Sequence, residues 1–469
     1  MTDIFIKKNK IVLSDYPYQK DIENRLLMSE LTLFEVDVLK EILDSSLKFF
    51  VSELAEFLDV TEEDVLPVLD KFSTVKLVQR QDKVVHVDKD MRRYYESQIL
   101  KFDDLFEPDI EFLQGLLSKV PIHVLPNWYS IPRTSDNIIQ SIINNHLATP
   151  KIYERYLNEI AFDDPVMKKI VKDLFATPDF KLSSHVIKAK YNLDREQFEE
   201  IMLHLEFNFI CCLGYNRNGD IWEEIVTPFY EWRTLLRFQR DTMPASIKDV
   251  ETIQRTHSDD FGFVNDLTLL LKTAKSRHLT VELTKDKQWA LSPTDSVFVL
   301  PHIKNPESYT TQLIKTILQL QMAEVKQNQL TLFKESDEWL NKDLREKAIH
   351  LYRTNLVLLR YKGGAFSTGE KDLREVEKSL KRVMKSGWIL FDDYLKGFIS
   401  PIGNSEQVVL ENKGKRWRYV LPAMTEVNKT LIKNFIQEEL FHSGIVTTGT
   451  YLGKFCFCVT PFGRLSIDG

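Results

Sequence analysis

The residues with the clearest chemical signature in this chain are cations that gather late in the sequence. Lys371, Arg374, Lys378, Lys381, Arg382 and Lys385 stand in one short stretch against three acids. Lys413, Lys415, Arg416 and Arg418 follow, interleaved with Trp417 and leading to Tyr419, and Lys429 and Lys433 come after them, four residues apart. The chemistry such groups offer is phosphate contact, which positions a protein on nucleic acid without reading its sequence. Trp417 and Tyr419 have faces on which bases can stack, but cross-strand packing within a hairpin is the preferred reading of both.

Catalytic chemistry is harder to assemble. Gly364-Ala-Phe-Ser-Thr-Gly369-Glu-Lys371 lies between a strand-like stretch, Asn355 to Tyr361, and a helix, as a phosphate loop should. That loop requires Lys directly after the second Gly and Ser or Thr next. Glu370 and Asp372 bracket the lysine instead, and carboxylates there repel a nucleotide. The pairs Asp103-Asp104, Asp163-Asp164, Asp259-Asp260 and Asp392-Asp393 are adjacent residues, which on a helix diverge by roughly 100°. They read as caps and solvated loops. Ten histidines show no His-Glu-x-x-His, and Cys211-Cys212 and Cys456-x-Cys458 lack the usual spacing of zinc ligands. The expectation is a non-enzyme with no metal or other cofactor and with plain buried thiols in strands.

The elements that must position the cations follow a recognisable order. Leu373, Val376, Leu380, Val383 and Met384 recur at helical spacing and give residues 371–385 a buried stripe. A strand is expected over Trp388–Phe391, then a helix over Asp393–Ile399 capped by Asp392. Two strands around Asn412–Lys415 come next, then a helix over Thr425–His442 ended by Gly444. A β-ribbon, Ile445–Thr448 with Phe455–Thr460, closes the chain. This is the order of a winged helix carrying an inserted hairpin.

The same order is expected twice earlier. Helices over Leu33–Leu43 and Phe50–Leu58 lead to a third, capped by Thr61 and running to Phe72, and then to a hairpin of Leu77–Arg80 with Val84–Val87. Helices over Val166–Phe175, Ser183–Lys190 and Asp194–Glu206 lead to strands Phe209–Tyr215 and Ile221–Thr227. In both, the helix that such folds lay in the major groove is acidic, which opposes phosphate. A further helix-plus-ribbon block starts at Phe263, passes a Pro-interrupted linker and contains helices over Thr311–Met322 and Asp337–Arg353. The expected fold class is mainly α with small β-hairpins (α+β). Winged helices are expected at 1–100, 161–240 and 346–469, a helix-plus-ribbon, winged-helix-like module at 255–345, and a helical connector at 101–160.

Charge is distributed unevenly beneath a net −7. Residues 1–120 carry 16 Lys and Arg against 25 acids, whereas residues 351–420 carry 14 against 8. No signal-peptide core opens the sequence, and no run approaches the roughly 18 apolar residues of a membrane span. A soluble cytoplasmic protein without a membrane partner is the expectation.

Several landmarks carry a family likeness: Asp266–Leu271, Leu279–Thr284, Gln329-Leu-Thr-Leu, Trp339-Leu340, Gly387-Trp-Ile-Leu, Tyr394-Leu395 and Val459-Thr-Pro-Phe-Gly-Arg464. Together they resemble the bacterial helicase-associated winged-helix family, which is similar to segments preceding the motor of XPB-type helicases and to the matching subunit of TFIIH. The resemblance implies DNA-linked, non-catalytic work beside a helicase or a transcription or repair protein. The expected function is a DNA-binding adaptor. Its basic C-terminal module would meet phosphates, and its acidic N-terminal modules would dock a partner. The alternative is a pure protein scaffold of winged helices that binds no nucleic acid.

Overall fold

A computed structural model of the chain describes residues 10–103, 106–135, 137–160, 162, 164–301, 306–361, 369–403, 406–413 and 416–468. The chain is mainly helical with small antiparallel sheets of two to four strands, the α+β class expected from the sequence. It divides into two compact units, one of residues 1–237 with 409–420 and one of residues 238–408 with 421–469.

One succession of elements occurs four times among the described residues: helix, strand, helix, helix, strand, strand, with the first strand paired to the last. In the first unit the first repeat runs Leu33–Asp44, Lys48–Phe50, Val51–Phe57, Glu62–Thr74, Val78–Gln81 and Val84–Val87. Lys48–Phe50 pairs with Val84–Val87, which also pairs with Val78–Gln81. Thr32 with Glu35 and Thr61 with Asp64 form capping boxes that satisfy orphan amide hydrogens at two helix starts. Val36, Leu39, Val65, Leu69 and Phe72 face inward at helical spacing and are buried. The second repeat runs Pro165–Ala176, Leu182–Ser183, Ser184–Tyr191, Arg195–Phe207, Cys211–Asn218 and Ile221–Pro228, with the same strand order. Helices between the repeats share one core with it, through Leu113, Trp128, Tyr129, Tyr153 and Phe207.

The second unit holds the other two. In the third repeat, helix Gly262–Ser276 leads to Val281–Leu283, an added strand Trp289–Leu291, helices Pro293–Val299 and Pro306–Gln319, and the hairpin Ala323–Lys326 with Gln329–Leu332. The amide of Val281 donates to Asn328 O and that of Leu330 to Leu279 O, so the first strand again meets the last. The Pro-interrupted stretch read as linker thus contains helix, because Pro293 and Pro306 occupy first helical positions, where no amide hydrogen is needed, while Pro301 lies in a turn. The fourth repeat runs Glu370–Ser379 with a 3₁₀ turn Leu380–Val383, then Ile389–Leu390, Phe391–Lys396, Glu426–Leu440, Val446–Tyr451 and Lys454–Val459. Asp392 lies inside the first turn of its helix rather than capping it. Asn355–Tyr361, read as strand-like, closes the helix Leu344–Tyr361, and most of the glycine-rich stretch after it lies outside the described residues.

All four third helices end alike. The residue after each C-cap is left-handed: Lys76 at φ 62°, Phe209 at 59°, Gln321 at 54° and Gly444 at 72°. The next amide (Leu77, Ile210, Met322, Ile445) donates back to Phe72, Leu205, Ile317 and Leu440, at 3.1, 3.0, 3.0 and 2.9 Å. This is the Schellman closure, in which a buried apolar residue follows the reversal.

Between the second and third helices of the fourth repeat the chain departs to form a hairpin, Val409–Lys413 with Arg416–Val420. The sequence places this hairpin in the closing basic module. In the structure it belongs to the first unit, where Leu410 joins the core and Trp417 and Tyr419 pack against it.

Candidate functional site

The cations expected to meet DNA do not form one site. Lys371, Arg374 and Lys378 are exposed on the first helix of the fourth repeat, which ends at Ser379, short of the span 371–385 expected from the sequence; Lys381 is exposed on the 3₁₀ turn that continues it and Lys385 on the turn after that, while Leu373, Val376, Leu380 and Val383 are buried. Lys371, Arg374 and Lys378 follow i, i+3 and i+7 and share one face of that helix, and Lys381 and Lys385 extend the run of cations beyond its end. Arg374 reaches Glu370 at 3.1 Å and Lys378 reaches Glu375 at 2.9 Å, exposed pairs on the same helix. Such pairs are worth about 0–1 kcal/mol and yield readily to a competing phosphate. Arg382 is different. Its guanidinium donates to Tyr394 O at 2.8 Å and lies over the Tyr394 ring, so it joins helix to helix within the repeat. Burial lowers its pKa, and it is not free for a ligand.

The hairpin cations are committed elsewhere. Arg416 sits 2.7 Å from Glu107 and 5.0 Å over the Tyr230 ring, and Glu107 is also paired with Arg233. Hydrogen bonding to Glu107 raises the pKa of Arg416 further. Tyr419 donates to Leu147 O at 2.8 Å and Leu410 N–H to Ala148 O at 2.8 Å. These contacts make packing, rather than base stacking, the role of Tyr419. Lys413 closes its strand in register with Arg416, Arg418 is exposed opposite Glu411, and Lys415 lies outside the described residues. On the third helix of the fourth repeat, Lys429 pairs with Glu426 at 2.6 Å and Lys433 lies 5.5 Å over the Phe455 ring.

No protein-family model, curated protein or solved structure matches the chain. The functional reading therefore rests on the residues themselves.

Sequence reasoning missed a charged network inside the first unit. Arg25, 3% exposed, donates to Glu199 at 2.8 Å and to both oxygens of Glu206 at 2.8 and 3.3 Å. Lys101 stands 3.7 Å from Glu206, and Lys119 lies 3.2 Å from Asp21, which also accepts from Tyr94. Burial works against ionisation of Glu206, but Arg25 and Lys101 hold its pKa down to about 2. The acids Glu199 and Glu206, counted in the sequence as part of a phosphate-repelling helix, thus face inward and are neutralised. No local signal reveals this, because Arg25 lies more than 170 residues away in sequence.

A second buried acid lies under the hairpin. Glu231 accepts from Ile110 N–H at 3.1 Å through one oxygen, and its other oxygen has no partner among the described residues. Burial pushes its pKa up to about 8. It lines a small, mostly apolar space of about 20 Å³ with Tyr153, Trp232, Leu410 and Tyr419, too small for a substrate. The cysteines are free, with Cys211, Cys212 and Cys456 buried in strands and Cys458 partly so. Among the described residues no group of three His, Cys, Asp or Glu side chains is placed to hold a metal, and no helix is long and apolar enough to cross a membrane.

Proposed function

We propose that this protein is a non-catalytic adaptor built of winged helices, which holds nucleic-acid phosphates on one face of its fourth repeat and a protein partner on its acidic N-terminal repeats. The observation that carries the nucleic-acid half is the run of exposed cations Lys371, Arg374, Lys378, Lys381 and Lys385 along the first helix of the fourth repeat and the turns that end it. The site is the first helix of the repeat, not its third helix and not the hairpin. The winged-helix reading is supported by the fourfold helix, strand, helix, helix, hairpin order, with first and last strands paired in three repeats and joined by a single bridge in the third. The likeness to helicase-associated proteins adds the proposal that the partner is a helicase or another repair or transcription factor.

The test is duplex binding followed by anisotropy over a range of salt. Each phosphate neutralised contributes a slope of about −0.9 in log K against log salt, so this face gives about −4. Changing Lys371, Lys378, Lys381 and Lys385 to Ala is expected to abolish salt-sensitive binding, while changing Arg416 and Arg418 leaves it nearly intact. A flat salt response, or equal loss in both variants, counts against the assignment.

The scaffold alternative has its own observation. The third helix of the first repeat is acidic at the surface, with Glu63, Asp64 and Asp70 exposed, so that repeat offers no phosphate-facing helix. Absence of duplex binding even at low salt would leave that alternative in possession.

A further inference from the structure

The second helix of the first repeat, Val51–Phe57, presents an unusual surface. Phe50 is 50% and Phe57 74% exposed, although aromatic rings of this size are normally drawn into a core. Phe50 closes the strand and caps the helix in extended conformation, and Phe57 is the last helical residue, so the two stand about 10 Å apart at opposite ends of the helix, with the exposed Glu53 between. Residues 50–64 contain Glu53, Glu56, Asp59, Glu62, Glu63 and Asp64 and no Lys or Arg. The nearest cation in contact is Lys83, 3.8 Å from Glu62 and itself 78% exposed. The strand Lys48–Phe50 that feeds this helix is an edge of its sheet. Two exposed rings within an acidic field define the chemistry of a complement: apolar side chains about two helical turns apart, surrounded by cations.

We infer that Phe50 and Phe57, with the acids around them, form the docking site for a cationic amphipathic helix of another protein, whose apolar stripe covers the rings and whose Lys and Arg face Glu53, Glu56, Asp59, Glu62 and Glu63. Aromatic anchors inside a charged rim are the usual energetic centre of such a contact. This deepens the partner-docking half of the proposed function and rests on it, while remaining independent of the cationic face on the fourth repeat.

The experiment uses the full chain and a fluorescein-labelled 14-residue helical peptide of Leu and Lys at amphipathic spacing, beside a counterpart with Glu for Lys. Binding of the Lys peptide and not the Glu peptide is expected. It should weaken at least about tenfold in Phe50→Ser/Phe57→Ser, as for loss of a buried aromatic anchor. It should weaken similarly in Glu56→Lys/Glu63→Lys. All four positions are exposed, and unchanged circular dichroism verifies that the variants fold. Equal binding of the Lys peptide to parent and Phe variant overturns this site while leaving an acidic docking surface elsewhere on the N-terminal repeats. Absence of any peptide binding overturns both the site and the docking half, whereas duplex binding in the same samples reports separately on the cationic face. Concentration-dependent dimerisation lost in the Phe variant would overturn the proposed partner in favour of a second copy of the chain.

Discussion

Gly444 is the one residue of the four helix reversals that carries no Cβ. A left-handed conformation costs an ordinary residue roughly 1–2 kcal/mol, against a backbone-entropy penalty of about 0.5–1 for Gly. Lys76 and Gln321 occupy the same conformation with exposed side chains. Replacing either by Gly is therefore expected to stabilise the protein by about 0.5–1 kcal/mol, read as a rise in denaturant midpoint at constant slope. Gly444→Ala should lower stability by a similar or larger amount, since an added Cβ would also meet the Phe261 ring at 2.7 Å. Glu231 gives a residue-scale prediction in pH. Its folded pKa, about 8, lies above the ordinary 4.5, so the folded state holds the extra proton between those values. The stability it allows is fully present below pH 4.5, declines as pH rises, and levels off above about 8. Asp109 faces it as a repelling group and Arg416 as an attracting one. Glu231→Gln should match the parent near pH 4.5 and exceed it by about 2–4 kcal/mol above pH 8, in urea titrations across that range. A parallel pH dependence in both proteins would contradict the buried, protonated acid.

At the scale of elements, the hairpin Val409–Val420 shows how little local sequence says about location. Its strand pairing follows from alternating residues about a turn, and the sequence shows that. Its seat follows from Leu410, Trp417 and Tyr419 meeting the core beside Leu147 and Phe209, which are remote in the chain. Leu410→Ala removes methyl groups from that seat and should destabilise the first unit by about 2–4 kcal/mol. Hydrogen exchange should rise at residues 147–148, whose carbonyls hold the hairpin, and stay unchanged at 446–459. The helix 370–379 makes the opposite case. Both its buried stripe and its exposed cations are legible from spacing alone, and only the removal of Arg382 to an internal contact was not.

On the scale of the whole molecule, each unit has its own cores. Those of the first include Phe72, Trp128 and Phe207, and those of the second include Phe263, Trp339 and Phe457. Separate cores allow separate cooperative transitions. Peptide-resolved exchange during urea unfolding should therefore show residues 409–420 losing protection together with residues 140–232, and not with 426–459, which follow them in sequence. Coincident loss across the entire chain would mean that the two units unfold as one.

The sequence by itself determined the fold class, the winged-helix order as an expectation at three places, and the uneven charge. Periodicity, capping residues such as Thr61 and Asp194, and turn chemistry are local signals, and local signals fix local structure. Tertiary structure alone decided which charges are available. Glu199 and Glu206 turn inward to Arg25, Arg416 is bound to Glu107, and Arg382 is held by Tyr394, while Lys371, Lys381 and Lys385 remain at the surface. Charge composition is additive along a chain, but whether a charge meets solvent depends on partners that folding brings from distant positions. For that reason the candidate surface emerged as five of the twelve expected cations, on and just beyond a helix that the sequence had drawn longer than it is.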